Sequence, residues 1–297
     1  MSGGVITNDG VKVIMDNAFI SSPTYTKFDR IKIGIGTTAA AISDTDLEES
    51  VPISGQETVD DCEAITGWNH ADAGEQTVLD NSTFKEGSGA LRLPKDNSSV
   101  DANWSKSTTS LVGTSKELGL WLYIKDATAL AKLTTSDCVV IRFGSDSSNY
   151  YEWTKDASDF AVLWNWIGNL SIASPDSTTG SPVIGSLDYS YIALETNNAT
   201  DTFVDDDIIM DFWQLIEAGD YTKSFDAEPT IDETNKIVKI RSRINSNEGN
   251  GFQITEYGAF NGDSSANILG RDVFTAFTKS ATEELVFQET ITFNNNP

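Results

Sequence analysis

The chain has 297 residues, 39% of them apolar and 10% aromatic, enough for one large β domain or two ordinary domains and too many for global disorder. Twenty Lys and Arg stand against 45 Asp and Glu. The formal net charge of −25 disfavours nucleic acid and anionic membranes as partners, and favours cations or a basic partner.

Met1-Ser2-Gly3-Gly4 opens on polar sequence, with no basic start and no apolar run that would read as a signal peptide. No stretch approaches the roughly 20 apolar residues of a membrane span, so no membrane insertion is expected. Lys12-Val13-Ile14-Met15 and Arg30 to Ile35 alternate with period two and are predicted strands. Gly34 and Gly36 close the second run as a turn. A short helical turn is predicted within Ala39 to Leu47, capped by Ser43 or Asp44. Ser50 to Ser54 returns as a strand.

From about Val59 to about Glu217 the composition changes. All seven Trp, the single His70 and Cys138 fall between Trp68 and Trp213, and Cys62 lies just before. Strands are predicted at Ala90 to Leu93, Glu117 to Ile124, Cys138 to Phe143, Tyr150 to Thr154, Tyr189 to Glu195 and Asp207 to Trp213. Loops rich in turn formers separate them, as at Ser145 to Asn149 and Ser174 to Ser181. Helical periodicity is confined to Ala127 to Leu133. Many short strands with regular turns read as a sandwich or jelly roll.

Alternating strands resume at Lys236 to Arg241, Phe252 to Tyr257 and Glu284 to Gln288. The step in composition argues for an all-β protein in which a small antiparallel β-sandwich is split by an inserted β-sandwich or jelly roll. The expected boundaries are 1–57 with 221–297 for the host and 58–220 for the insert. Cys62 and Cys138 give no metal spacing and no disulfide framework. Two free buried thiols are expected, with a single bridge left open. Five Asn-x-Ser/Thr triplets, at Asn81, Asn97, Asn103, Asn169 and Asn198, are read as chance in a chain rich in Asn, Ser and Thr.

Both ends carry a resemblance. Ile31-Lys32-Ile33-Gly34-Ile35-Gly36-Thr37-Thr38-Ala39, followed by Asp44 and Leu47, is similar to the first half of small structural proteins of tailed phages. The second half follows in Ile254-Thr255-Glu256-Tyr257-Gly258, then Leu269-Gly270-Arg271-Asp272-Val273-Phe274, then Lys279, then Glu284 to Phe293. The resemblance spans roughly the outer 130 residues. It implies a virion part of the tail, baseplate or fibre-attachment kind, made in the host cytoplasm and assembled as a homo-oligomer with other virion proteins. Gly258 suits a bulge or a close backbone approach. Glu256 and Arg271 are read as ordinary surface residues, with an orienting role as the alternative, since an exposed pair contributes only about 0–1 kcal/mol.

The middle resembles carbohydrate-binding jelly rolls. Asp60-Asp61-Cys62-Glu63, Gly67-Trp68 and Phe84-x-x-Gly87-Ser88-x-Ala90-Leu91 look like their opening, and Phe203-Val204-Asp205-Asp206-Asp207-Ile208 like their closing strand. Similar modules hold a structural calcium between an opening Glu and a closing Asp. This implies Asp61, Glu63, Asp205 and Asp207, with Asp206 beside them, as hard oxygen ligands, against the alternative of a solvated acidic edge. Flat aromatic faces stack on sugar rings, which singles out Trp104, Tyr150, Tyr151, Trp153, Trp164 and Trp166 for a host-surface glycan, against core packing for each. In Trp164-Asn165-Trp166 both indoles face one side of a strand.

No nucleophile motif accompanies His70, and Gly34-x-Gly36 lacks the further Gly and helix of a nucleotide loop. The expected function is therefore non-enzymatic: a virion component displaying a lectin-like domain. The alternatives are a stand-alone glycan-binding module of a cell-surface system, or a decoration or spacer protein without ligand.

Overall fold

A computed structural model describes the chain apart from residues 1–4, 54–55, 71–72, 205, 218–220, 251, 264–265, 281 and 293–297. Among the described residues it is an all-β protein with two short α-helices, divided into a unit of residues 1–55 and 219–297 and a second unit of residues 56–218.

The first unit opens with β1 (Val5–Ile6), α1 (Asn8–Phe19), β2 (Phe28–Gly34) and β3 (Ser50–Val51). Helix α1 corrects the strand expected at Lys12 to Met15. Four alternating residues are too few to outweigh the capping signal upstream. The Thr7 side chain accepts from Gly10 N at 3.0 Å, Asp9 sits in the first turn, and burial at Gly10, Val13 and Ile14 follows a helical spacing. The turn expected to be helical within Ala39 to Leu47 contains no helix. Asp44 there caps nothing, but accepts from Ala41 N at 2.9 Å and pairs with Arg271.

The second unit contains β4 (Glu57–Asp60), β5 (Asn69–His70), β6 (Val78–Asp80), β7 (Ala90–Arg92), β8 (Asp101–Leu111), β9 (Lys116–Ile124), α2 (Ala127–Lys132), β10 (Val139–Asp146), β11 (Asn149–Lys155), β12 (Leu163–Ser171), β13 (Ser177–Thr179), β14 (Leu187–Glu195) and β15 (Ile208–Glu217). One sheet runs β13-β11-β10-β14-β8-β5. The other runs β12-β9-β15-β7-β6, with β4 on β15. Alternation sends Trp104, Ile141, Phe143, Trp153 and Ile192 of the first sheet, and Leu118, Leu120, Leu122, Met210 and Trp213 of the second, into one core. Asp126 caps α2 by accepting from Thr128 N and Ala129 N at 2.8 and 2.9 Å. Cys62 and Cys138 are free and buried; burial pushes the Cys138 thiol up to about 12.

The first unit resumes with β16 (Lys223–Ser224), β17 (Thr230–Asp232), β18 (Ile237–Ile244), β19 (Gln253–Asn261), β20 (Ile268–Thr278) and β21 (Leu285–Thr292). Its sheets are β1-β20-β19-β2-β16, with β3 on β2, and β17-β18-β21. Strands from the two ends of the sequence therefore pair, with Gly34 opposite Glu256 and Ile33 opposite Tyr257. Gly258 lies in regular pairing opposite Lys32 and Arg271, and the register shifts fall on either side of it.

The motif residues of the two ends meet below the surface, which overturns the exposed reading of Glu256 and Arg271. Glu256 is 0% and Arg271 4% exposed. The Arg271 Nε donates to Glu256 Oε2 at 2.6 Å, and its outer nitrogens reach Asp44 at 3.1 Å and Glu48 at 3.3 Å. Glu256 also accepts from the backbone N–H groups of Gly36, Glu48 and Glu49. A Cβ at Gly36 would stand 2.6 Å from the Glu256 carboxylate, so the turn closes over the pair only because that residue is glycine. Lys279, 1% exposed, donates to Asn250 Oδ1 at 2.7 Å and Ser246 O at 3.1 Å.

Candidate functional site

The outer face of the β13-β11-β10-β14-β8-β5 sheet carries a ring-lined platform. Residues opposite one another in neighbouring antiparallel strands point to the same face. Arg142 on β10 lies opposite Glu152 on β11 and Tyr191 on β14. Gly144 lies opposite Tyr150 and Tyr189, and β14 sets Tyr189 opposite Ser107 and Tyr191 opposite Ser105. Arg142, Tyr150, Glu152, Tyr189, Tyr191 and Ser105 thus share one face, all half-buried, while Ile141, Phe143, Trp153 and Ile192 point into the core.

Arg142 organises this surface. Its guanidinium carbon lies 4.6 Å from the Tyr150 ring centre and 4.4 Å from that of Tyr191, within cation–π range of both. Its Nε donates to Glu152 Oε2 at 2.6 Å, and Ser177 Oγ donates to the other Glu152 oxygen at 3.1 Å. Burial opposes the charge on Arg142, but the Glu152 hydrogen bond and the neighbouring phenols outweigh it and raise its pKa. Burial also raises the Tyr189 and Tyr191 phenols above their ordinary range, so both remain hydroxyl donors. A Cβ at Gly144 would fall 2.5 Å from the Tyr150 Cα, so glycine keeps a gap open between Tyr150 and Tyr189. Flat rings, a held guanidinium and flanking hydroxyls can stack on a pyranose ring and bind its hydroxyls.

Of the six aromatics expected to bind glycan, Tyr150 lies on this platform. Trp104 is a correction: it is 0% exposed, and its indole N–H donates to Glu75 O at 2.6 Å inside the core. Trp153 is 3% exposed in the same core, and Tyr151 shares its parity and packs against that core. Trp164 and Trp166 belong to β12 in the other sheet. They flank Trp121 at ring-centre distances of 6.5 and 5.2 Å; Trp166 is 6% exposed and Trp164 half-buried. The sequence reading missed Arg142, Glu152, Tyr189 and Tyr191. The spacing Tyr189-x-Tyr191 against Ser190 and Ile192 was the available signal, since period-two alternation places both tyrosines opposite the core.

The acids expected to hold calcium are dispersed. Asp205 lies outside the described residues. Asp206 pairs with Lys125 at 2.6 Å, and Asp207 with Lys132 at 3.4 Å while accepting from Val204 N. Asp61 accepts from Glu63 N in an exposed turn. Glu63 accepts from Ser88 N and Gly89 N. Among the described residues, no three Asp, Glu, His or Cys side chains gather as a metal site. A different acid is left incompletely satisfied. Asp211, 0% exposed, accepts from Lys85 N and Glu86 N through Oδ2, while among the described residues its buried Oδ1 meets no donor at hydrogen-bond geometry. Burial raises its pKa to about 7, and the Glu63 charge adds to the rise. The same desolvation, with the charge of Asp211, lifts Glu86 to about 8.

No family model matches the chain, and no curated protein sequence matches it. Solved structures similar to part of it include a family 11 carbohydrate-binding module from Clostridium thermocellum in complex with a beta-1,3-1,4-mixed-linked tetrasaccharide. That match has 11% identity over 55% of this chain and 96% of that one, with a TM-score of 0.37. Another is the C-terminal family 6 module of LamC, a laminarinase from the marine Zobellia galactanivorans, with 7% identity over 55% of this chain and 100% of that one and a TM-score of 0.30. Similarity at this level assigns no function.

Proposed function

We propose that the second unit binds a glycan chain across the outer face of its β13-β11-β10-β14-β8-β5 sheet. The observation that carries this reading is Arg142 held between the Tyr150 and Tyr191 rings on the outer face of the sheet, with Glu152 fixing its Nε. Tyr189 and Tyr191 supply stacking area, and Ser105, Ser107 and Asn103 on β8 line its other side. One such platform is expected to bind at about millimolar strength, about 4 kcal/mol, with avidity coming from many copies. A glycan array probed with multimeric protein tests it. Binding lost in an Arg142→Ala variant supports the platform, and a blank array leaves this unit a spacer or decoration domain.

We further infer that the first unit anchors the chain in a tailed-phage virion as a homo-oligomer, and that the platform faces the host surface. Supporting this is the convergence of the phage-like motif residues Gly36, Asp44, Glu256 and Arg271 on one buried network. Immunogold labelling of intact particles tests it, and label only on unassembled protein would refute it.

For calcium, the chemistry fits Asp211 and Glu63 better than the dispersed set of Asp61, Asp205 and Asp207. A cation would satisfy the Asp211 Oδ1 and offset the burial of its charge. Calorimetry with calcium and with chelator decides this, because a ligand of the folded state alone raises its melting temperature. An unchanged curve, or an Asp211→Asn variant that still responds, ends the assignment.

A further inference from the structure

Among the described residues, strand β21 is a long and regular open edge. It runs eight residues, Leu285–Thr292, and pairs with β18 in an unbroken register from Leu285 opposite Ile244 to Thr292 opposite Ile237. Its sheet ends there, and among the described residues no backbone group lies hydrogen-bonded along its outer edge. Other edges are short or irregular. β5, β13, β16 and β17 have only two or three residues, β12 is interrupted by a register shift between Ile167 and Leu170, and β20 is covered by β1 at Gly270 and Arg271 and shifts register further along. Proteins blunt exposed edges with short strands, bulges, prolines or charged side chains. β21 contains no Pro, no Gly and no Lys or Arg, and its one charged residue, Glu289, is turned inward beside Tyr257 and Asp272.

We propose that β21 pairs antiparallel with β21 of a second copy of this chain, joining two three-stranded sheets into one of six strands about a two-fold axis. This rests on the homo-oligomer reading above and names the surface that makes it. Charge selects a second copy as the occupant. Two chains of net charge −25 repel, and they touch at least cost along a strand whose exposed row, Val286, Gln288, Thr290 and Thr292, is uncharged and whose one carboxyl, Glu289, is turned inward. A basic partner would be drawn to the acidic surface rather than to this neutral edge.

Self-pairing centred on Gln288 sets Leu285 opposite Ile291, Val286 opposite Thr290, and Phe287 opposite Glu289. The two Glu289 side chains then face Phe287 rather than each other. The parity of the strand is kept, so the inward row of Leu285, Phe287 and Ile291 continues across the junction, and exposed Val286, Gln288 and Thr290 form the outer row. The arrangement is isologous, as a closed two-fold contact requires.

The test uses the full chain in sedimentation velocity over a range of concentrations. Wild type is expected to dimerise or assemble further, and a Val286→Lys/Thr290→Lys variant, which sets lysines opposite lysines, to remain monomeric with an unchanged circular dichroism spectrum. A Val286→Glu/Thr290→Glu variant should behave likewise alone, and mixing the two should restore assembly. If the lysine variant fails to fold, oxidation of Gln288→Cys replaces it: a cross-linked dimer is expected, since Cys62 and Cys138 are buried. Monomeric wild type overturns both this pairing and the homo-oligomer reading. Assembly that persists in both charge variants, or Gln288→Cys that assembles without cross-linking, overturns the pairing alone. The glycan platform is measured independently of either result.

Discussion

Replacing Glu256 by glutamine removes a charge without changing shape, and its cost follows from the donors around it. Oε1 accepts from Gly36 N at 3.1 Å and Glu49 N at 2.9 Å, while Oε2 accepts from Glu48 N at 3.2 Å and Arg271 Nε at 2.6 Å. Whichever way the new amide is turned, its NH₂ meets two of these donors head-on. Each buried donor left without an acceptor costs about 1–3 kcal/mol, and more when it is charged. Glu256→Gln is therefore expected to destabilise the first unit by about 4 kcal/mol, within the roughly 3–5 kcal/mol of a broken buried ion pair. For a unit of this size that lowers the midpoint by roughly 15 °C in calorimetry. All seven Trp lie between positions 68 and 213, so Trp fluorescence follows the other unit alone and serves as an internal control. A loss below about 1 kcal/mol would return Glu256 and Arg271 to the rank of a surface pair. An equal shift in the Trp signal would show that the effect is not local to the network.

Tyr191→Ala should weaken glycan binding at least about tenfold in titration calorimetry with the best array ligand, about 1.4 kcal/mol, while Trp164→Ala leaves it unchanged; the reverse pattern would move the site to the other sheet. Trp104→Ala should cost about 3–5 kcal/mol, read from the urea midpoint by fluorescence, because it empties a fully buried core position. Burial, reinforced by Asp272, raises the Glu289 carboxyl from its ordinary 4.5 to about 7. Its contribution to stability is complete below about pH 4.5 and is lost as pH rises through 7. Glu289→Gln should therefore match wild type near pH 4 and exceed it at pH 8 in melting temperature. A variant less stable at pH 8 would refute that sign.

The all-β class was legible because strand alternation and turn residues recur along nearly the whole chain. Helix α1 was not, since the short run Lys12 to Met15 reads as a strand on its own, and only the Thr7 cap and the burial of Gly10 and Val13 mark the helix. Of the aromatics singled out in the sequence, Trp104 and Trp153 turn out to be core residues. Tryptophan drew attention as the larger ring, yet these two share the parity of Ile141 and Phe143 and fill the core. The smaller Tyr189 and Tyr191 occupy the opposite parity. Arg142 was silent in sequence because its role depends on cross-strand partners ten and forty-nine positions away, Glu152 and Tyr191. Glu256 and Arg271 carried a motif, but their burial depends on a turn more than 200 residues distant.

The second unit begins and ends on adjacent strands, with β4 running beside β15 so that Glu57 stands opposite Leu215, and Lys116 clasping both Glu57 and Glu217. This has a consequence for the order of assembly during synthesis. Before the insert folds, bringing β2 to β19 means closing a chain loop of roughly 220 residues; once the insert is folded, its neighbouring ends shorten the flexible path to roughly 60 residues. The entropy recovered is only about 1 kcal/mol at equilibrium, since closure cost grows with the logarithm of length. The kinetic gain is larger in kind: the interrupted sheet need not search for its missing half through a disordered, Trp-rich segment competing for the same strand edges. The insert that displays the platform thus also acts as the clasp that lets its interrupted host close.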